Sequence, residues 1–299
     1  MSDDRPEIFL FGATGTIGQA LVRNLSPAAA AGVIGLRLGV RSAGRAPSSQ
    51  PDNVQIVQAN LNWPVVDLAA ALRGTDTLFL LTGYTEEMIS QSACAIDAAH
   101  RAGVTHVVHL GAHAAADTPV LHLQWHLDVE KKLEQSGLGW TNLRPNWLMQ
   151  NVLRSVSRSG DGLTIECAIP VGKAISWVDA DDVAFFAAAI LQRPLQHNQQ
   201  TYMLAAERKS YSDIALLAEA MLQMPCRAVE TPWDSLVTRM LSHREPGYAR
   251  SALHYMECVR GEGAPECADV QELDVMLGRQ PRDWRAFIAG HRHVFERPS

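Results

Sequence analysis

Residues 8–21 read IFLFGATGTIGQAL: a short apolar run, then glycines at positions 12, 15 and 18, then the start of a helical pattern. This strand–turn–helix context gives each glycine a task. Gly12 lets the chain turn sharply off the strand. Gly15 lacks the β-carbon that would keep a pyrophosphate from the backbone, and Gly18 lets the helix pack closely on the sheet. The N–H groups of Thr14, Gly15, Thr16, Ile17 and Gly18 would then hold an anion at the positive end of the helix. The pattern therefore predicts a dinucleotide site at the first strand of an α/β sheet.

Working outward, strand-like apolar runs recur at 36–40, 54–58, 77–81, 106–110 and 140–143. Helical segments separate most of them, one beginning at 19–25 and another over 86–102, with Met88, Ile89, Ala93, Ile96 and Ala99 on one face. Continuous apolar strands alternating with helices mean parallel strands buried on both sides, hence a doubly wound α/β sheet. The rhythm changes near Asn151. A Ser/Gly-rich stretch at 155–162 reads as a loop, as does the alanine run at 28–31. A strand-like 164–169, a helix over 179–191 and a run at 201–204 follow, then short helices broken by Pro225, Pro232, Pro246, Pro265 and Pro281. The expected division is a nucleotide-binding domain over 1–155, to which 176–205 returns, and a smaller helix-rich substrate-binding region over 156–299.

The 299 residues are 47% hydrophobic and 19% charged, with a net charge of −6 spread without blocks. Such a surface argues against a nucleic-acid or anionic-membrane partner, which needs a concentrated basic face. No apolar run reaches the roughly 18 residues that span a bilayer. The acidic opening MSDDRPEIFLFG is not that of a signal peptide. Cys94, Cys167, Cys226, Cys258 and Cys267 form no CxxC pair, so they read as reduced thiols of a cytoplasmic protein. Oligomeric state is not legible.

The cofactor's identity turns on the end of the second strand. An NAD site usually has Asp or Glu there, whereas this chain has Arg41 and Ser42. A guanidinium fits a 2′-phosphate bidentately and Ser42 adds a hydroxyl, which favours NADP(H).

Beyond the glycine turn, three stretches carry a family likeness. They are LQWHLDVEK at 123–131 with SGLGWTNLRPNWLMQN at 136–151, VDADDVA at 178–184, and GRQPRDW at 278–284. With them the chain resembles atypical short-chain dehydrogenases/reductases of the NmrA-like group, most of all the subset that includes ergot-alkaloid dehydrogenases. The resemblance implies a Rossmann domain with a small substrate domain closing over the nicotinamide. It also implies sites along the strand ends. Asn60 sits where relatives often carry an Asp near the adenine. Thr82 and Gly83 would flank the ribose, and Gly111 with Ala112 would lie against the nicotinamide. Asn146 would hold the carboxamide or substrate, or else cap the next helix. Trp147, Met149 and Asn151 would continue that wall.

The YxxxK pair of ordinary short-chain dehydrogenases is missing. Its tyrosine position falls on His122 and its lysine position on His126, while Gly111 or Ala112 takes the serine position. Three readings of His126 compete: a general acid or substrate anchor, a histidine bonded to a backbone carbonyl, and a zinc ligand paired with His122. The zinc reading lacks the HExxH glutamate and a third ligand, so no metal is assigned. His122 reads as a supporting or exposed residue. His113, beyond the fifth strand, reads as a loop histidine with reach to the site. Asp179, Asp181 and Asp182 read as acids that open a helix. Trp233, His243, Tyr248, His254, Tyr255 and Met256 are too readily core residues to assign to a pocket.

The resulting expectation is an NADPH-dependent oxidoreductase. It would reduce a C=N, C=C or C=O bond of a small apolar molecule, with His126 as proton donor or anchor. The alternative is a non-catalytic NADP(H)-sensing regulator that binds a protein partner.

Overall fold

The computed structural model describes residues 5–42, 53–261 and 273–296. Cys267, Pro265 and the acidic first four residues lie outside them. Two compact units emerge.

The first comprises Met1–Ala112, Leu123–Arg144 and Val183–Met203. Its strands are β1 (Glu7–Leu10), β2 (Gly35–Val40), β3 (Val54–Gln58), β4 (Thr77–Leu80), β5 (His106–Leu110) and β6 (Gly139–Pro145). Its helices are α1 (Thr16–Ala30), α2 (Val65–Leu72), α3 (Met88–Ala102) and α4 (Leu121–Glu134), whose first two residues group with the second unit. The six strands pair in parallel. The sheet order is Gln200–Leu204, β6, β5, β4, β1, β2, β3, so the chain runs outward from β1 to β3 and then returns to β4 beside β1. That reversal creates a crevice between the C-terminal ends of β1 and β4, where doubly wound sheets bind their ligands. The central strands are mostly apolar because helices cover both faces: Ile8, Phe9, Leu10, Leu78, Phe79, Leu80, Val107 and Val108 are all fully buried.

Three local expectations need correction. The alanine run is not a loop, since residues 28–30 complete α1. Ala29 is buried and Ala31 N–H donates to the Pro27 carbonyl at 3.0 Å. Alanine's helix propensity, which composition alone does not weigh against a loop, explains this. Met88, Ile96 and Ala99 of the expected face are buried, but Ile89 is exposed, and α3 also buries Ser92, Ala95 and Ala98, a stripe of mostly small residues. The stretch at 155–162 is not a loop either. Val156–Ser159 pairs antiparallel with Gly162–Cys167 across a two-residue turn in which Gly160 has φ +64°.

The second unit comprises His113–His122, Pro145–Asp182 and Leu204–Ser299. It holds two three-stranded sheets besides its helices. One orders Glu207–Lys209, Ile175–Val178 and Trp147–Leu148, the other Cys226–Glu230, Gly162–Cys167 and Val156–Ser159. Trp177, Trp284, Phe287, Phe295, Ile165 and Ile169 build its core. No helix among the described residues is long and apolar enough to cross a membrane.

Candidate active site

The glycine turn leaves β1 at the crevice. Phe11 N–H donates to Phe79 O at 3.0 Å, which ties the turn to β4. Gly12 has φ +75°, and a β-carbon there would lie 2.8 Å from the Leu81 side chain. A β-carbon on Gly18 would stand 2.0 Å from Gly12 O, so the close packing of helix on turn demands glycine at both positions. Gly15 differs. A β-carbon there would meet only Gly12 O, at an ordinary 3.4 Å, so nothing within the turn requires glycine. Thr14, Gly15 and Thr16 are exposed, Ile17 and Gly18 are buried, and no side chain caps α1. Bare helical N–H groups beside an open Gly15 fit a dinucleotide pyrophosphate.

The other strand ends contribute in turn. Arg41 and Ser42 are exposed just after β2. Asn60, half-buried after β3, is engaged locally, its Oδ1 accepting from Asn62 N–H at 3.1 Å. After β4, the Thr82 hydroxyl is buried with no hydrogen-bond partner among the described residues, and Gly83 is exposed. After β5, Gly111 is buried, and a β-carbon on it would approach Glu130 Oε1 to 3.2 Å and His109 Cε1 to 3.3 Å.

Gly111 thus borders a buried polar group beneath α4. Glu130 and Arg144 pair through two guanidinium nitrogens, including Nε to Oε1 at 2.9 Å. Burial pushes the Glu130 carboxyl above the usual range against the pull of Arg144, while Glu130 holds the guanidinium firmly charged. His109 is 0% exposed and faces Asn142 across the β5–β6 pairing. Neither of its ring nitrogens makes a hydrogen bond of good geometry, although the Asn142 amide is close enough to favour protonation. Burial dominates and brings its pKa down to about 4, with the Arg144 charge acting in the same direction. The His109 ring lies 5.8 Å from that of His126. His126 is only 4% exposed, and its Nε2 sits 3.2 Å from the Tyr84 hydroxyl, the two rings meeting edge to face.

Tyr84 belongs to no motif. Its only sequence signal is its place directly after Thr82 and Gly83. Among the described residues, no group of three or more His, Cys, Asp or Glu is placed to hold a metal ion.

His122, Asn146 and His113 belong to the second unit. His122 is buried, which excludes the exposed placement. Its backbone N–H donates to Ser251 Oγ at 2.8 Å and its Nδ1 bonds the same hydroxyl at 2.8 Å. Burial lowers its pKa to about 4. Asn146 N–H donates to Leu204 O at 2.9 Å, and its buried Nδ2 has no hydrogen-bond partner among the described residues. Met149 is fully buried in the core and Asn151 is exposed, so the expected wall does not continue through them. Trp147 Nε1–H donates to the Tyr255 hydroxyl at 2.7 Å. His113 N–H donates to Pro145 O at 3.0 Å.

The stretches 178–182 and 278–284 meet in this unit. Arg279 bonds Asp182 at 2.6 Å, the Arg282 backbone N–H donates to Asp182 at 2.6 Å, and its guanidinium reaches Asp181 at 2.7 Å. Asp179 accepts from Asp181 N–H at 2.9 Å at the start of the helix Ala180–Gln192. These acids hold a helix start and the C-terminal segment.

The NmrA-like family model matches residues 4–288. The chain belongs to the NmrA-like family. An NAD(P)H azoreductase from Xenophilus azovorans is 29% identical to this NmrA-like chain over 296 residues, covering 96% of it and 99% of the relative. The NADPH-dependent quinone oxidoreductase of Escherichia coli, solved with NADPH, shares the fold with a TM-score of 0.79. It is 21% identical over 95% of this chain and 99% of its own. NmrA, a negative transcriptional regulator solved with NAD, has a TM-score of 0.76 at 20% identity, covering 98% of this chain and 95% of its own.

Proposed function

We propose that this NmrA-like protein is an NADPH-dependent oxidoreductase acting on a small apolar organic molecule with a C=N, C=C or C=O bond. The azoreductase relative extends that range to N=N. The observation that carries the reading is Gly15, left open beside an uncapped helix at the end of β1. There the N–H groups of Thr14, Thr16, Ile17 and Gly18 bind the pyrophosphate, while the Gly15 N–H closes the turn on Gly12 O at 3.0 Å and Gly15 contributes its missing β-carbon. Arg41 and Ser42 take the 2′-phosphate, in a position without the acid that would select NAD. Asn60, Thr82, Gly83 and Gly111 line the rest of the cofactor's path. When bound, NADPH supplies hydride. His126 supplies or relays the accompanying proton, or anchors the substrate. Four described cysteines are thiols, in keeping with a reducing cytoplasm.

The test is His126→Ala, which lowers turnover at least about tenfold and leaves NADPH affinity near wild type. Unchanged turnover removes His126 from the mechanism. A second reading, an NADP(H)-sensing regulator with a protein partner, draws on the histidines standing where the Tyr–Lys pair would be and on the fold shared with the NmrA regulator. Tight NADPH binding without turnover of any imine, enone, quinone or azo compound favours that reading.

A further inference from the structure

We propose that Tyr84 is the proton donor to the substrate and that His126 acts on it through a hydrogen bond, which deepens the oxidoreductase reading and rests on it. Three observations in the first unit converge. Tyr84 follows β4 directly after Thr82 and Gly83, and β4 adjoins β1, from which the glycine turn departs, so the segment that carries the phenol leaves the sheet beside the ligand crevice. Its hydroxyl lies 3.2 Å from His126 Nε2. Its side chain is not sealed in: Tyr84 is 41% exposed, while His126 is 4% exposed. A tyrosine that served only to fill space has no use for a hydroxyl aimed at a buried imidazole. A phenol half in solvent and half on an imidazole can release a proton outward while the ring behind it stabilises the oxygen.

Behind His126, His109 is held neutral by burial, so that side adds no positive charge to compete with the pair. The missing tyrosine of the YxxxK pair is then replaced from the segment after β4, and the histidine in the lysine position on α4 keeps the supporting task.

As one atom of the substrate's double bond receives hydride, the π electron pair moves to the other atom, which takes the proton from Tyr84 Oη. The phenolate is held by the Nε2–H of His126, which donates to it. It regains a proton from bulk water after product leaves.

Tyr84→Phe tests this because it removes one oxygen and keeps the ring that packs on His126. With a quinone or azo acceptor, kcat falls about 100-fold while the Kd for NADPH stays within about twofold of wild type. With a preformed cationic iminium, which needs hydride and no proton, the variant keeps near wild-type turnover. In the cofactor-free protein, the ¹⁵N resonance of His126 Nε2 shifts in Tyr84→Phe as its hydrogen bond is lost. Quinone turnover equal to wild type, an unmoved Nε2 resonance, or equal losses on quinone and iminium each overturn the role of Tyr84. Wild-type protein that turns over no acceptor overturns the oxidoreductase reading and this proposal with it. Wild-type turnover with an unaffected Tyr84→Phe overturns this proposal alone.

Discussion

A β-carbon on Gly18 would stand 2.0 Å from the carbonyl oxygen of Gly12, while one on Gly15 would keep 3.4 Å from that same oxygen. The motif therefore separates into glycines that the fold demands and one that it leaves open. Gly18→Ala forces the helix off the turn and costs at least about 3 kcal/mol, the upper end of overpacking. Gly15→Ala costs at most about 1 kcal/mol, the difference between glycine and alanine at a helix N-cap. It nonetheless weakens NADPH binding at least about tenfold, because the methyl group stands where the pyrophosphate approaches. Urea unfolding and calorimetric titration of the two variants check both halves. Undiminished NADPH binding by Gly15→Ala contradicts the assignment of the turn.

Arg41 carries the choice between the two nicotinamide cofactors. Arg41→Ala weakens NADPH about tenfold, roughly 1.4 kcal/mol, and leaves NADH nearly unchanged. Equal loss for both cofactors, or for neither, removes Arg41 from 2′-phosphate recognition.

The links between Asp182 and the C-terminal segment are unequal. Asp182 is fully buried and accepts from the Arg282 backbone N–H and from Arg279. Asp182→Ala leaves that N–H and the Arg279 guanidinium without their buried acceptor and costs about 3 kcal/mol. Arg282→Ala removes a half-exposed guanidinium, keeps the backbone N–H, and costs less than about 1 kcal/mol. Denaturant midpoints of the two variants give the comparison.

Much of this was legible beforehand, for reasons that differ by residue. The central strands β1 and β4 announced themselves because sheets covered on both faces need continuous apolar runs, and the glycine turn because its geometry admits few other residues. The hairpin around Gly160 was hidden, since serine and glycine suit a loop equally well until pairing with Gly162–Cys167 decides. Ile89 was misplaced because α3 buries small residues and leaves that larger one outside. Tyr84 escaped notice because its partner lies 42 residues away, and no local pattern reports a contact at that range. The same holds for Asp182 and Arg282, 100 residues apart.

Three buried histidines set the pH response of stability. His106, His109 and His122 each have a pKa brought down to about 4, with burial as the largest cause. The unfolded chain, with histidine near its ordinary 6.5, takes up protons first as the solution is acidified. Their contribution is therefore fully present above pH 6.5 and is lost progressively toward pH 4, by at most about 1.4 kcal/mol per pH unit for each. Urea unfolding across that window shows falling stability, and His109→Gln, which cannot titrate, shows a shallower fall. An identical slope in the variant contradicts the neutral, buried state of His109.

The most direct measurement of the central claim follows the hydride itself. The protein is incubated with NADPH deuterated at the C4 position of the nicotinamide and with imine, enone, quinone and azo acceptors, and the products are analysed by mass spectrometry and NMR. The account predicts NADP⁺ formed in step with reduced product, and one deuterium at carbon where an imine or enone is reduced. Tight NADPH binding with no oxidation of the cofactor and no reduced product from any acceptor would contradict it.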